Sequence, residues 1–450
     1  MIRVKQIWNN LRSSFWFIPA LMIFASGALA VAVVEMDTVA SDQWLAHWPR
    51  LFGTTPEGAR QIVATIAGSM MTILGVTFSM TLVALALASS QYTSRILRNF
   101  MRSRVTQSTL GILAGNYTYC LVVLHTIRGG VSESVFVPGL ALFFAFILAQ
   151  CGVGVLIYFI HHIASSIQAS NIIASVAEET ILAIDRLFPE KLGQESDEDE
   201  DRGPPAGKTW HVVPVKTEGY IQDVNISALL HLAQDLKAVV RMERGIGEFV
   251  VQNTALASLA LEGPPDQDAV TALQGAYSID IHRTVEQDPA FGIMQIVDIA
   301  QKALSPGIND TSTAAICIDH LTAILARLVI RKFPGLRRYD EGDLRVIAKG
   351  PTFEVLLCGA FDQIRRNAQG NVAILSHMLS ALETIASQTD RPSRRLALRE
   401  QVRRIAAMAG GIVDSAHDRP HLEAHLQQVR NALEVASATS TTHSRLIGTS

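Results

Sequence analysis

Long apolar segments alternate with short polar ones over the first third of the chain, and four of them predict transmembrane helices. A helix needs about 20 residues to cross a bilayer. The predicted spans are Phe15–Met36, Gln61–Ser89, Leu110–Ile127 and Phe136–Ile160. We interpret the first as a retained span, because its apolar run is too long for the core of a signal peptide.

Lysine and arginine residues flank these spans unevenly, and the bias predicts an orientation. Basic residues precede the first span and crowd the loop between the second and the third, whereas the other two loops carry few. The residues concerned are Arg3, Lys5, Arg12, Arg95, Arg98, Arg102 and Arg104. We therefore expect both termini, and everything after residue 162, to face the cytoplasm.

The second span carries small and hydroxylated residues along one side. Gly68, Thr72, Gly75 and Ser79 recur there at helical spacing. Small residues let helices approach closely, so this face is a candidate for packing, including packing between copies in a homo-oligomer. The alternative is a polar face that lines a pathway. The interior of this span has no acidic or basic side chain, which favours packing.

Polar sequence follows the last span, and its pattern changes from helix to strand and back to helix. Short β-branched segments such as "WHVVPVK", "GYIQDVN" and "GEFVVQ" predict strands, and their rhythm resembles the small barrel of lipoyl domains. The predicted domains are a four-helix transmembrane domain (1–165), a helical extension (166–192), an acidic linker rich in Pro and Gly (193–208), a small β domain (209–265), a helical cytoplasmic domain (266–437) and a disordered tail (438–450). The expected fold is therefore a membrane α-helical domain followed by a cytoplasmic α+β region with a β-barrel-like section and a helical C-terminal part.

Composition, charge and cysteine spacing argue against particular partners and sites. The 450 residues are 49% hydrophobic and 18% charged, and the net charge is −3, which argues against nucleic acid as a partner. The four cysteines show no paired spacing, so we predict that they form neither a disulfide nor a zinc site. We predict no cofactor either. The basic helix "SRRLALREQVRRIAAMA" is expected to be solvated.

The densest group of polar residues surrounds the segment "FGIMQIVDIAQKALSPGINDTSTA". Pro306 and Gly307 end one predicted helix, and Asn309 or Asp310 caps the next, so a purely structural corner is one interpretation. A second is a site for an anionic ligand, clamped by Arg283. The candidate residues are Arg283, Glu286, Asp288, Asp298, Lys302, Ser305, Asn309, Asp310 and Thr313. A third hypothesis gathers Glu286, Asp288 and Asp310 around a cation.

Several segments of the chain resemble a known family of bacterial membrane proteins. They are "SSQYTSRILRNF", "YFIHHIASSIQ", "GYIQDVN", "GEFVV", "QDPAFGIMQIVDIAQKALSPGINDTSTAAICIDHL" and "FDQIRRNAQGNVA". The chain is similar, from Phe15 to beyond Ala407, to the predicted membrane proteins grouped as domain of unknown function 2254. It departs from the family pattern at Thr311, where a proline is expected, and in "GIGEFV", where a Pro-Gly-Asp turn is usual. The resemblance implies an inner-membrane protein without an established activity.

Three classes of function stay open at this point. We expect a channel, a transporter or a regulator of one, embedded in the bilayer, with a cytoplasmic region that senses a small anionic ligand. A membrane-anchored enzyme acting on a phosphorylated or lipid substrate is the first alternative, although the sequence contains no Walker loop, nucleophile elbow or zincin pattern. A membrane scaffold or assembly protein is the second.

Overall fold

The computed structural model describes residues 16–39, 55–91, 103–128, 136–188, 207–333, 335–368, 370–412 and 418–446. The chain divides into two compact units, residues 1–172 and 173–450. Most of the predicted acidic linker lies outside the described residues, as do the basic residues that predict the orientation, apart from Arg104.

The first unit contains the four predicted spans as helices. They are α1 (Phe17–Val39), α2 (Pro56–Gln91), α3 (Arg104–Thr126) and α4 (Gly139–Ser166). Helices α1, α2 and α4 are long and apolar enough to cross a membrane. The prediction of apolar, membrane-length helices in this part of the chain is confirmed for α1, α2 and α4.

Helix α3 is more polar than its neighbours, and it can be so because other helices cover it on several sides. It packs against α1, α2 and α4. A Cβ atom on Gly111 or Gly115 would overlap the side chains of Met22 and Ser26, so α1 and α3 approach closely through these glycines. The side chain of Asn116, which is buried, donates to the Leu148 carbonyl at 2.7 Å. Such internal hydrogen bonds let a polar residue lie among apolar helices.

The second unit combines nine described helices with eight strands. The helices are α5 (Ala169–Leu187), α6 (Ile226–Asp235), α7 (Gln267–Gly275), α8 (Pro289–Ala303), α9 (Thr311–Ile330), α10 (Phe353–Asn367), α11 (Val372–Ala386), α12 (Pro392–Ile412) and α13 (Asp418–Leu446). The strands are β1 (Thr209–Pro214), β2 (Gly219–Val224), β3 (Val239–Met242), β4 (Phe249–Val250), β5 (Ala255–Leu261), β6 (Tyr277–Asp280), β7 (Arg337–Asp340) and β8 (Asp343–Ile347). Helix α13 extends past residue 438, where composition predicts a disordered tail.

The predicted barrel-like section is wrong. The described strands form two open sheets, one in the order β1-β5-β3-β8-β7 and one in the order β4-β2-β6. Strands β7 and β8 lie far beyond residue 265, yet β8 pairs with β3 in parallel, with Val240 opposite Val346. Strand rhythm identifies strands but carries no information on which strands pair over such a separation, so the sequence could not reveal this sheet.

Helix α9 has the length and apolarity of a membrane span but forms part of the core of the second unit. Its residues Cys317, Ile318, Leu321, Leu325 and Leu328 have no exposed surface. It packs against α8, α10 and α11. Length and composition alone do not separate such a buried helix from a span.

The basic helix α12 turns several of its arginines inward, contrary to the expectation that it is solvated. Arg394 is 5% exposed and donates to the carbonyls of Leu328, Val329 and Arg331 at the end of α9. Arg395 donates to the Leu433 carbonyl of α13. Arg394 thereby supplies donors to carbonyl groups in the last turn of α9, where the helix itself provides too few.

Candidate functional site

The second unit contains a cavity of about 790 Å³. This volume lies within the range of small-molecule sites, which is roughly 300–1,000 Å³. Its wall combines three helix N-termini, the turn that follows β3, the strand β7 and the segment between β8 and α10. Chain segments far apart in sequence thus meet at one concave surface.

Three helices begin at the cavity wall. Their N-cap residues Asn225, Asp288 and Thr352 belong to the lining and start α6, α8 and α10. Each cap side chain accepts from the amide three residues later, at 3.0, 3.2 and 3.3 Å respectively. A helix N-terminus carries a partial positive charge, so this wall favours a negatively charged group.

Arg283 and Asp288 form a closed ion pair in this wall. The Arg283 Nε and Nη2 atoms donate to Asp288 Oδ2 at 2.9 and 2.6 Å. The pair lies directly under Gly247, which has a φ of +82°, and a Cβ atom there would overlap the Asp288 carboxylate. Burial raises the pKa of Asp288 above its ordinary value, although the Arg283 guanidinium and the backbone amides of the helix lower it. Arg283 is therefore already engaged.

Glu248 joins a second closed cluster. Its carboxylate lies 2.8 Å from Lys349 Nζ and 3.3 Å from Arg244 Nη1, and it accepts from the Gly245 amide at 3.0 Å. Burial raises the pKa of Glu248, but the hydrogen bonds from Lys349 and Gly245 and the charge of Lys349 outweigh burial and hold the pKa below its ordinary value. Two cations share this carboxylate, and Lys349, the one of them that lines the cavity, already has a partner within the protein.

Arg338 is different, because no described residue pairs with its charge. It lies on β7, which a tight turn with positive φ at Glu341 and Gly342 joins to β8. The register between the two strands shifts directly after Arg338, and such irregularities redirect side chains. Among the described residues, Arg338 has no ion pair, and its buried Nε has no hydrogen-bond partner. Asp223 is the acidic lining residue for which the described part of the chain shows no cationic partner.

Apolar side chains form another part of the cavity wall. Phe188 and Phe333 contact each other with ring centroids 4.7 Å apart. Ile226, Leu336 and Val355 also line the cavity. Val355 is 59% exposed although it is apolar. The cavity thus offers an unpaired cation and an apolar surface together.

The structure divides the predicted corner between the two ends of α8. Arg283 and Asp288 meet at its N-terminus, whereas Ser305, Asn309, Asp310 and Thr313 follow its C-terminus. The 15 residues of the helix span about 22 Å. Asp298 and Lys302 are half-buried within the helix, and Glu286 is exposed before it. The predicted residues therefore do not form one constellation.

The turn at Asp310 is closed by its own hydrogen bonds. The Asp310 carboxylate accepts from the Thr313 hydroxyl at 2.6 Å and from the Thr313 amide at 3.0 Å, which lowers the pKa of Asp310. The Asp310 amide donates to the Ala303 carbonyl at 2.7 Å, and Asn309 has a φ of +48°. Of the two predicted caps, Asp310 is the one that caps α9.

The predicted face of the second span is exposed within the chain. Gly68, Thr72, Gly75 and Ser79 lie on the outer side of α2, and a Cβ atom on either glycine would have no described atom within 4 Å. The Thr72 hydroxyl donates to the Gly68 carbonyl of its own helix at 3.0 Å. Packing against a second copy, or a pathway along this face, stays a prediction.

Within the described residues, no group of three or more His, Cys, Asp or Glu residues is placed to hold a metal ion. Glu286, Asp288 and Asp310, which one hypothesis gathered around a cation, are separated by α8. The four cysteines are free thiols.

Sequence reasoning did not identify Arg338 or the cavity. The segment "YDEGDLRVI" contains an acidic-glycine turn between short apolar stretches, which is a hairpin signal. That signal could have placed Arg338 on a strand. Its lack of a partner, however, depends on the tertiary structure.

Comparison with known proteins gives a family match over most of the chain. The family model described as "Predicted membrane protein (DUF2254)" matches residues 12–384. Uncharacterized proteins of Mycobacterium bovis and Mycobacterium tuberculosis are each 31% identical over 405 residues, which cover 89% of this chain and 77% of the relative. No solved structure matches the chain.

Proposed function

Because the chain belongs to the DUF2254 family of predicted membrane proteins, we propose that it is a channel, a transporter or a regulator of one whose second unit senses a small anionic ligand. The observation that carries the proposal is Arg338, an arginine without a partner among the described residues, in the wall of a cavity of about 790 Å³. The membrane helices of the first unit would be the responding part.

An unpaired, partly buried cation is costly, because burial removes it from water without supplying an opposite charge. A bound anion supplies that charge. The N-termini of α6, α8 and α10 act in the same direction, since each favours negative charge nearby. The carboxylates of Asp288 and Glu248 already pair with other cations, so neither of them neutralises Arg338. A bound anion would do so.

The proposal extends to location and assembly. We propose that the protein lies in the bacterial inner membrane with both termini and the second unit in the cytoplasm, as the basic residues around the predicted spans suggest. We also propose a homo-oligomer in which the exposed face at Gly68 and Gly75 contacts a second copy. The open space above these two glycines supports this interface.

The enzyme alternative finds no support in the lining. Within the described part of the wall, no hydroxyl or thiol is hydrogen-bonded to a histidine or to a free carboxylate. Such a contact is what activates a nucleophile.

The proposal is tested by flux measurements on the full chain in liposomes. We expect wild-type protein to pass potassium, chloride or a small organic solute, and inorganic phosphate on the side of the second unit to change the rate. Arg338→Glu should abolish this response. Arg366→Glu, at an exposed arginine outside the cavity, is the matched control and should retain it. Absence of flux for every solute, with and without phosphate, would overturn the channel and transporter forms of the proposal.

A further inference from the structure

We propose that the ligand is an amphiphile that carries a single anionic group, a phosphate monoester or a carboxylate, on an apolar body, and that Arg338 binds the anionic group. This inference rests on the proposed ligand-sensing function and specifies the ligand. It follows from the way in which charged and apolar groups are distributed over the cavity wall.

The anionic end of the ligand is assigned to Arg338. Three cations line the cavity, but Arg283 is bound to Asp288 and Lys349 to Glu248. Arg338 is the remaining cation of the lining, and none of the described residues pairs with it. An arginine in this state recognises phosphate or carboxylate through parallel N–H donors.

The same wall limits the number of anionic groups that the ligand can carry. Asp223 lies in it with no cationic partner among the described residues, and it repels additional negative charge. A ligand with several phosphates would need several free cations. The lining therefore fits one anionic group rather than a polyphosphate.

The apolar end of the ligand is assigned to the aromatic and aliphatic part of the wall. Phe188 and Phe333 form a contiguous aromatic surface, and Val355 is 59% exposed. Val355 lies in the first turn of α10, three residues after the cap Thr352, so apolar surface lies close to a positive helix end. A bare inorganic anion fills only a small part of about 790 Å³ and leaves this surface in water.

A phosphate monoester on an apolar body can come from two sources. A single-chain lipid phosphate would come from the bilayer, and an aryl or nucleoside phosphate from solution. Both place a phosphate monoester on an apolar body. Hexyl phosphate represents the first source and phenyl phosphate the second, and both probes are soluble in water.

The experiment measures the affinity of the full chain, in phosphatidylcholine nanodiscs, for four probes by titration calorimetry. The probes are inorganic phosphate, hexyl phosphate, phenyl phosphate and the uncharged hexanol. Each buried methylene strengthens binding about fourfold. We therefore expect hexyl or phenyl phosphate to bind at least about tenfold more tightly than inorganic phosphate, and hexanol not to bind measurably.

Two variants separate the ends of the site. Arg338→Ala should weaken binding of every phosphate probe by about tenfold or more. It should fold, because the side chain has no partner to lose among the described residues. Val355→Ser should reduce the advantage of the organic phosphates by about threefold to tenfold and leave inorganic phosphate unchanged. Arg366→Ala, an exposed arginine outside the lining, should match wild type for all four probes.

The outcomes distinguish this inference from the proposed function. If inorganic phosphate binds as tightly as the organic phosphates, the amphiphile is refuted and anion sensing stands. If wild-type protein binds none of the phosphates, both fail. Unchanged affinity in Arg338→Ala would overturn the assignment of that residue. A larger gain for hexyl phosphate supports a lipid source, and a larger gain for phenyl phosphate supports a soluble one.

Discussion

Replacing Arg394 by methionine tests whether a buried arginine holds the end of α9 in place. The guanidinium donates to the Arg331 carbonyl at 2.6 Å, to the Leu328 carbonyl at 3.1 Å and to the Val329 carbonyl. Its central carbon also lies 5.2 Å from the centre of the Phe333 ring, which lines the cavity. Methionine keeps much of the apolar stem but removes all of these donors.

The expected loss of stability follows from the number and burial of these bonds. A hydrogen bond to a charged group contributes about 1.5–3 kcal/mol, and the three bonds share one side chain, so they are not additive. Arg394 is 5% exposed, and its removal takes one donor from each of three carbonyls. The Leu328 carbonyl still accepts from the Arg331 amide at 3.1 Å and the Arg331 carbonyl from Arg391 at 3.4 Å, so the Val329 carbonyl is the most affected. We expect the second unit to lose about 2–4 kcal/mol of its free energy of unfolding. This corresponds to a rise of about thirtyfold or more in the equilibrium constant for the opening of α9.

Hydrogen exchange of the full chain in detergent micelles, resolved by peptide, measures this opening. The control is Arg403→Met on the same helix, where the side chain is 76% exposed and pairs with Glu400. We expect α9 to exchange as in wild type in the control and much faster in Arg394→Met. Equal exchange in the two variants would refute the claim that Arg394 stabilises the end of α9.

Three further changes probe other features. Gly247→Ala should lower the thermal unfolding midpoint by several degrees, because the φ of +82° disfavours a side chain and the new Cβ would overlap the ion pair beneath it. The control is Gly263→Ala, whose Cβ would meet no described atom within 4 Å, and it should leave the midpoint unchanged. Asp310→Asn should cost about 1 kcal/mol or less near neutral pH. The folded-state pKa of Asp310 is lowered from 3.8, so its contribution to the free energy of unfolding is full above that value and is lost as the pH falls through the folded pKa. Urea unfolding as a function of pH should show this loss of stability in wild type. A similar loss in the variant would contradict the assignment. Gly68→Ile should dissociate the proposed oligomer in native mass spectrometry, while Gly154→Ile, at an equally open glycine of α4, should leave it intact.

The sequence predicted those features that depend on local pattern. Apolar length located α1, α2 and α4. The cap at Asp310 was one of two predicted, because Asn and Asp are favoured there almost equally.

The remaining features depend on contacts between distant segments. The inward arginines of α12 were predicted to be solvated, since charge in a sequence indicates water unless carbonyl groups of other helices surround it. Helix α3 was predicted as a span, and its polar residues are explained only by the three helices that pack around it. The residues that line the cavity lie between Leu187 and Val355, far apart in the sequence. Arg338 stands out because no described residue pairs with it. No local pattern encodes such an absence.

The parallel pairing of β3 with β8 also has a consequence for synthesis on the ribosome. Until residue 347 has been made, β3 can pair with β5 but exposes its other edge, and an open edge invites pairing with other chains. Arg338, Lys349 and the start of α10 emerge from the same late segment. A nascent chain that stops before this segment therefore has an unpaired sheet edge and lacks part of the cavity wall, so the edge is covered and the cavity completed at the same stage of folding.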